Sequence, residues 1–289
     1  MSAKLEVRNL TYSYDGNTPF KKDAVSNISF TVDAGEIIGI IGHTGSGKST
    51  LVQQLNGLLK PSDGEVLLDE KNIWEKPKEI RKIRSRVGLV FQYPEYQLFE
   101  DTVYDDIAFG PKNMGLEGNE LDKRIRDICS LIGIKEEYFD KSPFDLSGGE
   151  KRRVAIAGVM AMQPEVIIFD EPVAGLDPKG RNDVIKMIYD YRNAYNSTVF
   201  IVSHNMEDMA LIADKLIVLA SGNLLAFDKT EEIFKSKELI SKAGLNVPIV
   251  TRVLDLLRQK GVSVPENIFT VDKAVDYLMS YKKGSGNID

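Results

Sequence analysis

The stretch Gly42-His43-Thr44-Gly45-Ser46-Gly47-Lys48-Ser49-Thr50 carries the residue types that hold a polyphosphate, in the pattern G-x-x-x-x-G-K-[ST]. A glycine-rich turn between a strand and a helix aims successive backbone N–H groups at one point. The helix N-terminus adds partial positive charge there. In such a cradle Lys48 reaches the β- and γ-phosphates and the Ser49 hydroxyl ligates Mg²⁺. A turn that merely joins strand to helix needs neither the lysine nor the hydroxyl. The pattern therefore implies nucleotide binding.

A second group of residues could act on what the loop holds. The apolar run 166–169 ends in Asp170-Glu171. At the C-terminal end of a parallel strand, carboxylates face the crevice where ligands sit. Asp170 is placed to hold Mg²⁺, directly or through water, and Glu171 to orient and deprotonate an attacking water. Paired carboxylates at a strand end are commonly a solvated turn; a neighbouring phosphate loop reverses that balance. Leu146-Ser147-Gly148-Gly149-Glu150 supports two compatible readings. Ser147 and Glu150 make the capping box S-x-x-E for a helix over 152–162. A serine, two glycines and exposed amides at a helix N-terminus also make a second anion site. Spacing alone does not choose between them.

The elements that must position these groups follow from periodicity. Alternating or continuous apolar runs predict strands over 5–14, 25–32, 36–41, 64–69, 87–91, 166–169, 198–202 and 215–220, with a turn at 15–17. Helical spacing predicts helices over 49–59, 80–85, 121–132, 178–195 and 206–213. Beyond residue 230 only helical patterns occur, notably 250–260 and 271–282, before a Gly/Ser/Asn tail expected to fray. The middle section reads as a helical insertion with loops rich in Gly, Pro and Asp around 121–132.

Composition narrows the class. A chain of 289 residues with 43% hydrophobic and 28% charged residues has room for a large α/β core plus smaller units. Its formal net charge of -6 argues against a nucleic-acid surface over the whole molecule. The basic runs 81–86 and 151–153 read as solvated helix faces. Cys129 is the single cysteine, which excludes an internal disulfide and a cysteine zinc site; it reads as a small core residue. The first residues lack the apolar segment of a signal peptide, and no apolar run is long enough to span a bilayer. A cytosolic chain is expected, with any membrane role acting through a partner.

The phosphate loop, Gln92, Leu146 to Glu150, Asp170-Glu171, Gly175-Leu176-Asp177 and His204 occur in that order. Over roughly residues 4–230 this set resembles the nucleotide-binding subunit of an ABC transporter. The resemblance implies an α/β P-loop NTPase (RecA-like) core with an antiparallel β-subdomain. It also implies an α-helical subdomain inserted at about 93–160, within an ATPase domain over 1–230. ATP and Mg²⁺ are its implied ligands, with Gly42, Thr44, Gly45, Ser46, Gly47, Lys48, Ser49 and Thr50 around the phosphates. Tyr14 would stack on the adenine, and Gln92 would contact Mg²⁺ and the attacking water. Ser147, Gly148 and Gly149 would clamp the γ-phosphate of ATP bound to the opposite subunit. Asp177 would couple the two sites, and His204, otherwise read as a packed core histidine, would contact the γ-phosphate. His43 lies at a variable loop position and has no assigned role. Glutamate at 150 departs from the usual Leu-Ser-Gly-Gly-Gln, but S-x-x-E caps as well as S-x-x-Q.

A narrower likeness rests on Phe91-Gln92-Tyr93-Pro94-Glu95-Tyr96-Gln97-Leu98-Phe99, Thr102-Val103 and Asp106-Ile107-Ala108-Phe109-Gly110-Pro111. These resemble the ATPases of energy-coupling-factor importers, which take up vitamins and transition-metal ions. The run 152–162 is similar to the second of that system's two paralogous ATPases. Implied partners are a homologous ATPase (a copy or a paralogue), a transmembrane coupling subunit and a substrate-binding membrane subunit, with no nucleic acid. The chain would then sit peripherally on the cytoplasmic face of the membrane, and its helical extension 231–289 would serve dimerisation. The competing function is a soluble ABC-type ATPase acting on nucleic acid or the ribosome. Such proteins usually carry two cassettes or a long coiled-coil insertion, and this chain has neither. A non-hydrolysing regulatory module is opposed by Glu171 and His204. The segment 92–111 also concentrates Tyr93, Tyr96, Phe99, Tyr104 and Phe109, which pack into a core or meet a membrane partner.

Overall fold

The computed structural model describes residues 4–14 and 22–284; the turn expected at 15–17 and the tail from 285 lie outside the described residues. The chain begins with β1 (Leu5–Tyr14), β2 (Lys22–Val32), β3 (Ile37–Ile41) and α1 (Lys48–Leu55). It continues through β4 (Asp63–Leu68), β5 (Lys71–Asn72), α2 (Ile80–Arg86) and β6 (Val87–Val90). Three helices come next, α3 (Val103–Asn113), α4 (Gly118–Ile132) and α5 (Gly148–Met160). The alternating α/β run is β7 (Val166–Asp170), α6 (Pro178–Tyr195), β8 (Thr198–Val202), α7 (Met206–Ile212), β9 (Lys215–Ala220) and β10 (Asn223–Lys229). Four helices close it, α8 (Thr230–Lys235), α9 (Lys237–Lys242), α10 (Ile249–Gln259) and α11 (Val271–Gly284).

Two sheets form. One is antiparallel, in the order β2-β1-β4-β5; the other runs β10-β9-β3-β8-β7-β6, parallel except for β10. The antiparallel β-subdomain expected beside the α/β core is therefore present. Strand β3 is buried at all five of its residues, as a strand covered on both faces must be. Ile38 and Ile40 pack with α1 and the antiparallel sheet, whereas Ile37 and Ile41 pack with the helices on the opposite face. The small sheet and the helical section are thus separate layers on either side of one central sheet.

Three departures from the sequence pattern have physical causes. Helix α1 stops at Leu55, short of the expected 59. Gly57 takes φ +72 just beyond it, and the Asn56 amide donates to the Val87 carbonyl, which turns the chain away. Helix α3 replaces an expected loop. Thr102 caps it by accepting from the Asp105 N–H at 3.1 Å, and Pro111 falls in its last turn. Its Gly110 lies against Met162, so close that a Cβ there would stand 2.6 Å from Cγ. Gly158 on α5 faces the Asp106 carbonyl of α3 more loosely, and a Cβ there would stand 3.4 Å away, in ordinary contact. Gly110, in an expected loop, is here part of the contact between α3 and the end of α5. Strand β10 is a half-exposed edge whose side chains alternate too weakly to stand out.

Among the described residues no helix is long and apolar enough to cross a membrane. Phe200 on β8 is fully buried between β3 and β7, on the face shared with α1. Phe200→Ala should lower the unfolding free energy by about 3–5 kcal/mol, the usual cost of such a cavity, as measured by denaturant titration of the isolated chain.

Candidate active site

The neighbouring strands β3, β8 and β7 end at one level. Ile40 pairs with Val202 and Val202 with Asp170, so one rung of the ladder fixes three chain exits. Gly42 leaves from the first, His204 from the second and Glu171 from the third. The register thereby brings together the phosphate loop, the two carboxylates and the histidine.

In the loop, glycine is required where backbone approaches backbone. A Cβ on Gly47, which has φ +102, would stand 2.4 Å from the Ala24 carbonyl. One on Gly42 would stand 2.4 Å from the Leu219 carbonyl. The loop is thus tied to both β2 and β9. Lys48 bends back so that Nζ donates to the carbonyls of Gly42 (2.7 Å) and His43 (3.0 Å), inside the curve of the loop. Burial lowers its pKa, opposed by the charges of Glu171 and Asp170. The Ser46 hydroxyl is buried without a hydrogen-bond partner among the described residues. Thr50 lies at the back of the loop, where its hydroxyl is 3.3 Å from the Tyr14 hydroxyl. The Tyr14 ring is edge-on to Tyr12 and half-exposed. His43 turns Nδ1 to the Thr44 carbonyl at 2.7 Å, a local contact.

Opposite the loop, the Ser49 hydroxyl donates to Asp170 Oδ2 at 3.4 Å. Burial, and then the charge of Glu171, raise the Asp170 pKa. A cation between Ser49 and Asp170 would reverse that shift by favouring the carboxylate. Glu171 sits in the left-handed region at φ +51, uncommon for a residue with a side chain. Its N–H donates to the Val202 carbonyl at 3.0 Å, and its Oε1 is 2.8 Å from His204 Nδ1. Behind His204, Asn205 caps α7 and the buried Asp208 pairs with Arg181 of α6. Gln92 is exposed two residues beyond Val90, which pairs with Phe169 on β7. It therefore stands beside the strand end that carries Asp170.

The remaining expected site residues lie elsewhere on the surface of this chain. Ser147, Gly148 and Gly149 are exposed at the N-terminus of α5, and a Cβ on either glycine would meet nothing within 4 Å. The capping box is complete: Glu150 Oε2 accepts from the Ser147 hydroxyl (2.6 Å) and N–H (2.9 Å), and the Glu150 N–H donates back at 3.4 Å. Asp177 caps α6 by accepting from the Gly180 N–H at 2.7 Å. The solvated helix face expected over 151–153 fails at Arg152. It is buried on α5 and donates to the carbonyls of Ala174 (3.0 Å) and Glu171 (3.5 Å), linking that helix to the loop after β7. The only signal in sequence was an arginine inside a helix that must pack against a core.

The ABC transporter family model matches residues 25–174, from β2 through the phosphate loop and the Ser147 cap to the acid pair. The chain belongs to the ABC transporter family. Similar chains include the energy-coupling factor transporter ATP-binding protein EcfA2 of Caldanaerobacter subterraneus subsp. tengcongensis, 48% identical over 98% of this chain and 99% of its own length. The protein of the same name from Clostridium perfringens is 51% identical over 96% of this chain and 98% of its own. Among solved structures, cbiO1 of Clostridium perfringens, described as part of the ABC transporter complex cbiONQ, superposes with a TM-score of 0.74 at 39% identity. That match covers 87% of this chain and 98% of cbiO1. A dimeric ATP-binding cassette in a post-hydrolysis state with ADP and Pi has a TM-score of 0.70 at 27% identity, over 78% of this chain and 98% of its own.

In this ABC ATPase, Glu150 stands where the resemblance leads one to expect glutamine. Hydrogen bonds from the Ser147 side chain, the Ser147 N–H and Tyr138 pull its pKa from 4.5 to about 2. A carboxylate with a depressed folded-state pKa stabilises above its unfolded value, and that stabilisation fades as pH falls from 4.5 through about 2. Glu150→Gln should keep both cap bonds and nucleotide hydrolysis while removing this acid-side dependence. Carboxyl NMR titration of the parent and unfolding of both proteins across that interval provide the check.

Proposed function

We propose that this chain is an ATP-binding and ATP-hydrolysing subunit of an energy-coupling-factor ABC importer, driving uptake of vitamins or transition-metal ions. It pairs with a homologous ATPase subunit and docks, at the cytoplasmic face of the membrane, on a transmembrane coupling subunit that works with a substrate-binding membrane subunit. The observation that carries the chemistry is the shared strand-end level of the phosphate loop, Asp170-Glu171 and His204. Near full-length identity to proteins named EcfA2 supports the transport assignment.

The residues fit both ATP and Mg²⁺. The unpartnered Ser46 hydroxyl is buried beside Gly42, and Lys48 Nζ is turned onto the Gly42 carbonyl, so both donors belong to the phosphate loop. Ser49 and Asp170 offer hard oxygens suited to Mg²⁺. Among the described residues no cluster of three His, Cys, Asp or Glu could hold a metal alone, consistent with an ion that takes most of its ligands from phosphates and water. Ser49 and Asp170 would hold Mg²⁺, which would supply charge neutralisation at the phosphates. Lys48 exchanges its loop carbonyls for phosphate oxygens, and Tyr14 supplies a face for the adenine. Glu171 orients the attacking water and takes its proton. His204 holds the Glu171 carboxylate and contacts the γ-phosphate, while Gln92 reaches the metal and water from β6. Ser147, Gly148 and Gly149 present their amides to ATP on the opposite subunit, and Asp177 lies between the two sites.

Residues 231–289 form the dimerisation extension in this proposal. Ile249, Val253 and Leu256 on α10, and Val271, Val275 and Met279 on α11, are exposed at helical spacing. The insertion that begins after Gln92 is a set of short helices rather than a long coiled coil, so nothing favours a nucleic-acid or ribosome-acting protein.

Two tests follow from the site and its outlet. Glu171→Gln should reduce ATP hydrolysis by about 10²–10⁴-fold with ATP affinity nearly intact, whereas Lys48→Ala should weaken nucleotide binding as well. Turnover and equilibrium binding of both variants in the assembled complex decide this; near-normal turnover of the glutamine variant removes Glu171 from the role. The second test concerns the aromatics. Tyr104 packs against Phe139 and belongs to the core, but Tyr96 is 85% exposed and Phe99 is 57% exposed, edge-on to Phe109. Replacing Tyr96 and Phe99 with alanine should detach or uncouple the membrane subunit while the ATPase still folds and binds ATP. Pull-down together with thermal unfolding is the measurement, and unchanged transport ends the idea.

A further inference from the structure

Arg152 and Glu95 are the most unusual buried pair outside the nucleotide cradle. Arg152 projects from α5, the helix capped by Ser147, and only 4% of it is exposed. One terminal nitrogen donates to the Ala174 carbonyl at 3.0 Å and the other to the Glu171 carbonyl at 3.5 Å. Its Nε faces Glu95 Oε2 at 4.0 Å. Neither Nε nor that oxygen is exposed to water, and neither has another hydrogen-bond partner. A buried charged pair normally closes to hydrogen-bond distance, because each unsatisfied atom forfeits its hydration without compensation. Here the guanidinium is fixed by two carbonyls on one side and meets the carboxylate just beyond bonding range on the other.

The three elements joined in this way have different tasks. Glu95 lies in the single turn Pro94–Gln97 that follows Gln92. Arg152 lies one turn into the helix whose N-terminus presents Ser147. The two carbonyls belong to the chain that leaves β7, whose first residue is Glu171 at φ +51. A left-handed non-glycine residue persists only where its surroundings over-determine it. The hydrogen bond to its own carbonyl is one of those determinants.

We propose that Arg152 is a positioning residue for ATP hydrolysis, with Glu95 setting its placement. Its planar fork holds the backbone turn that aims the Glu171 carboxylate, and the long contact with Glu95 lets the segment after Gln92 adjust that aim. A shift of about half an ångström or more in either element decides whether Nε bonds to Oε2. The state of the membrane-facing segment is thereby transmitted to the carboxylate without any change in the phosphate loop. This inference rests on the reading of Glu171 as the group that orients water.

Lysine keeps the charge at 152 but offers one nitrogen in place of a fork, so it cannot serve two carbonyls and Glu95 together. In the assembled complex, Arg152→Lys should lower kcat on the order of 10–100-fold with the KM for ATP within about threefold, as expected when a reacting group is misaimed rather than lost. Glu95→Gln, which preserves the shape, should lower kcat in the same manner but less. The double variant should be no slower than Arg152→Lys alone, because both act through one contact. Thermal unfolding of each variant separates this from a structural role. A fall in activity that only tracks the folded fraction, or single effects that multiply in the double variant, overturns the proposal. Should Arg152→Lys fail to fold, the Glu95→Gln result decides: unchanged kcat overturns it. Glu171→Gln is run alongside. If that variant alone is inactive, the water-orienting reading stands and the Arg152 link falls; if it turns over normally, the underlying reading has failed.

Discussion

The parallel hydrogen-bond register across β3, β8 and β7 is the constraint on which the rest depends. A slip of one residue in either pairing would turn every side chain of that strand to the opposite face and move one chain exit along the strand axis. Ile40, Val202 and Asp170 share a rung, so Gly42, His204 and Glu171 leave the sheet within two residues of a common level. The pairing is held by burial on both faces. The strands are rich in β-branched and aromatic residues, interrupted in β3 only by Gly39, and the odd and even residues serve different cores. Catalytic alignment is thus a by-product of the same apolar packing that stabilises the sheet.

Much of this could be read in the sequence, for identifiable reasons. Continuous apolar runs such as 166–169 and 198–202 admit few alternatives to a buried parallel strand, and both appear as expected. The phosphate loop and the Ser147 cap were legible because each needs particular side chains at fixed offsets. Helix α3 was hidden because Gly110-Pro111 looks like a break, whereas those residues sit in its last turn where α3 meets α5. Strand β10 was hidden because an edge strand half open to solvent has a weak pattern. Arg152 departs from the solvated face expected of its basic run because its partners are backbone carbonyls, which leave no trace in side-chain identity.

The N-terminus of α5 is ordered by its own chain. The Ser147 cap and both glycines after it face outward, with nothing nearby to occupy the space above them. A capping box fixes the direction of this helix end without help from any other element. The depressed Glu150 pKa expresses the same order electrostatically, since the carboxylate is already saturated by donors from its own chain.

The close approach of α3 and α5 at Gly110 and Gly158 has a mechanical consequence. Side chains at a helix interface can change rotamer and absorb displacement; backbone against backbone cannot. Where Gly158 meets the Asp106 carbonyl, the two helices have no soft layer between them. At that point the spacing of α3 and α5 is set by main-chain contact, which no change of rotamer can loosen.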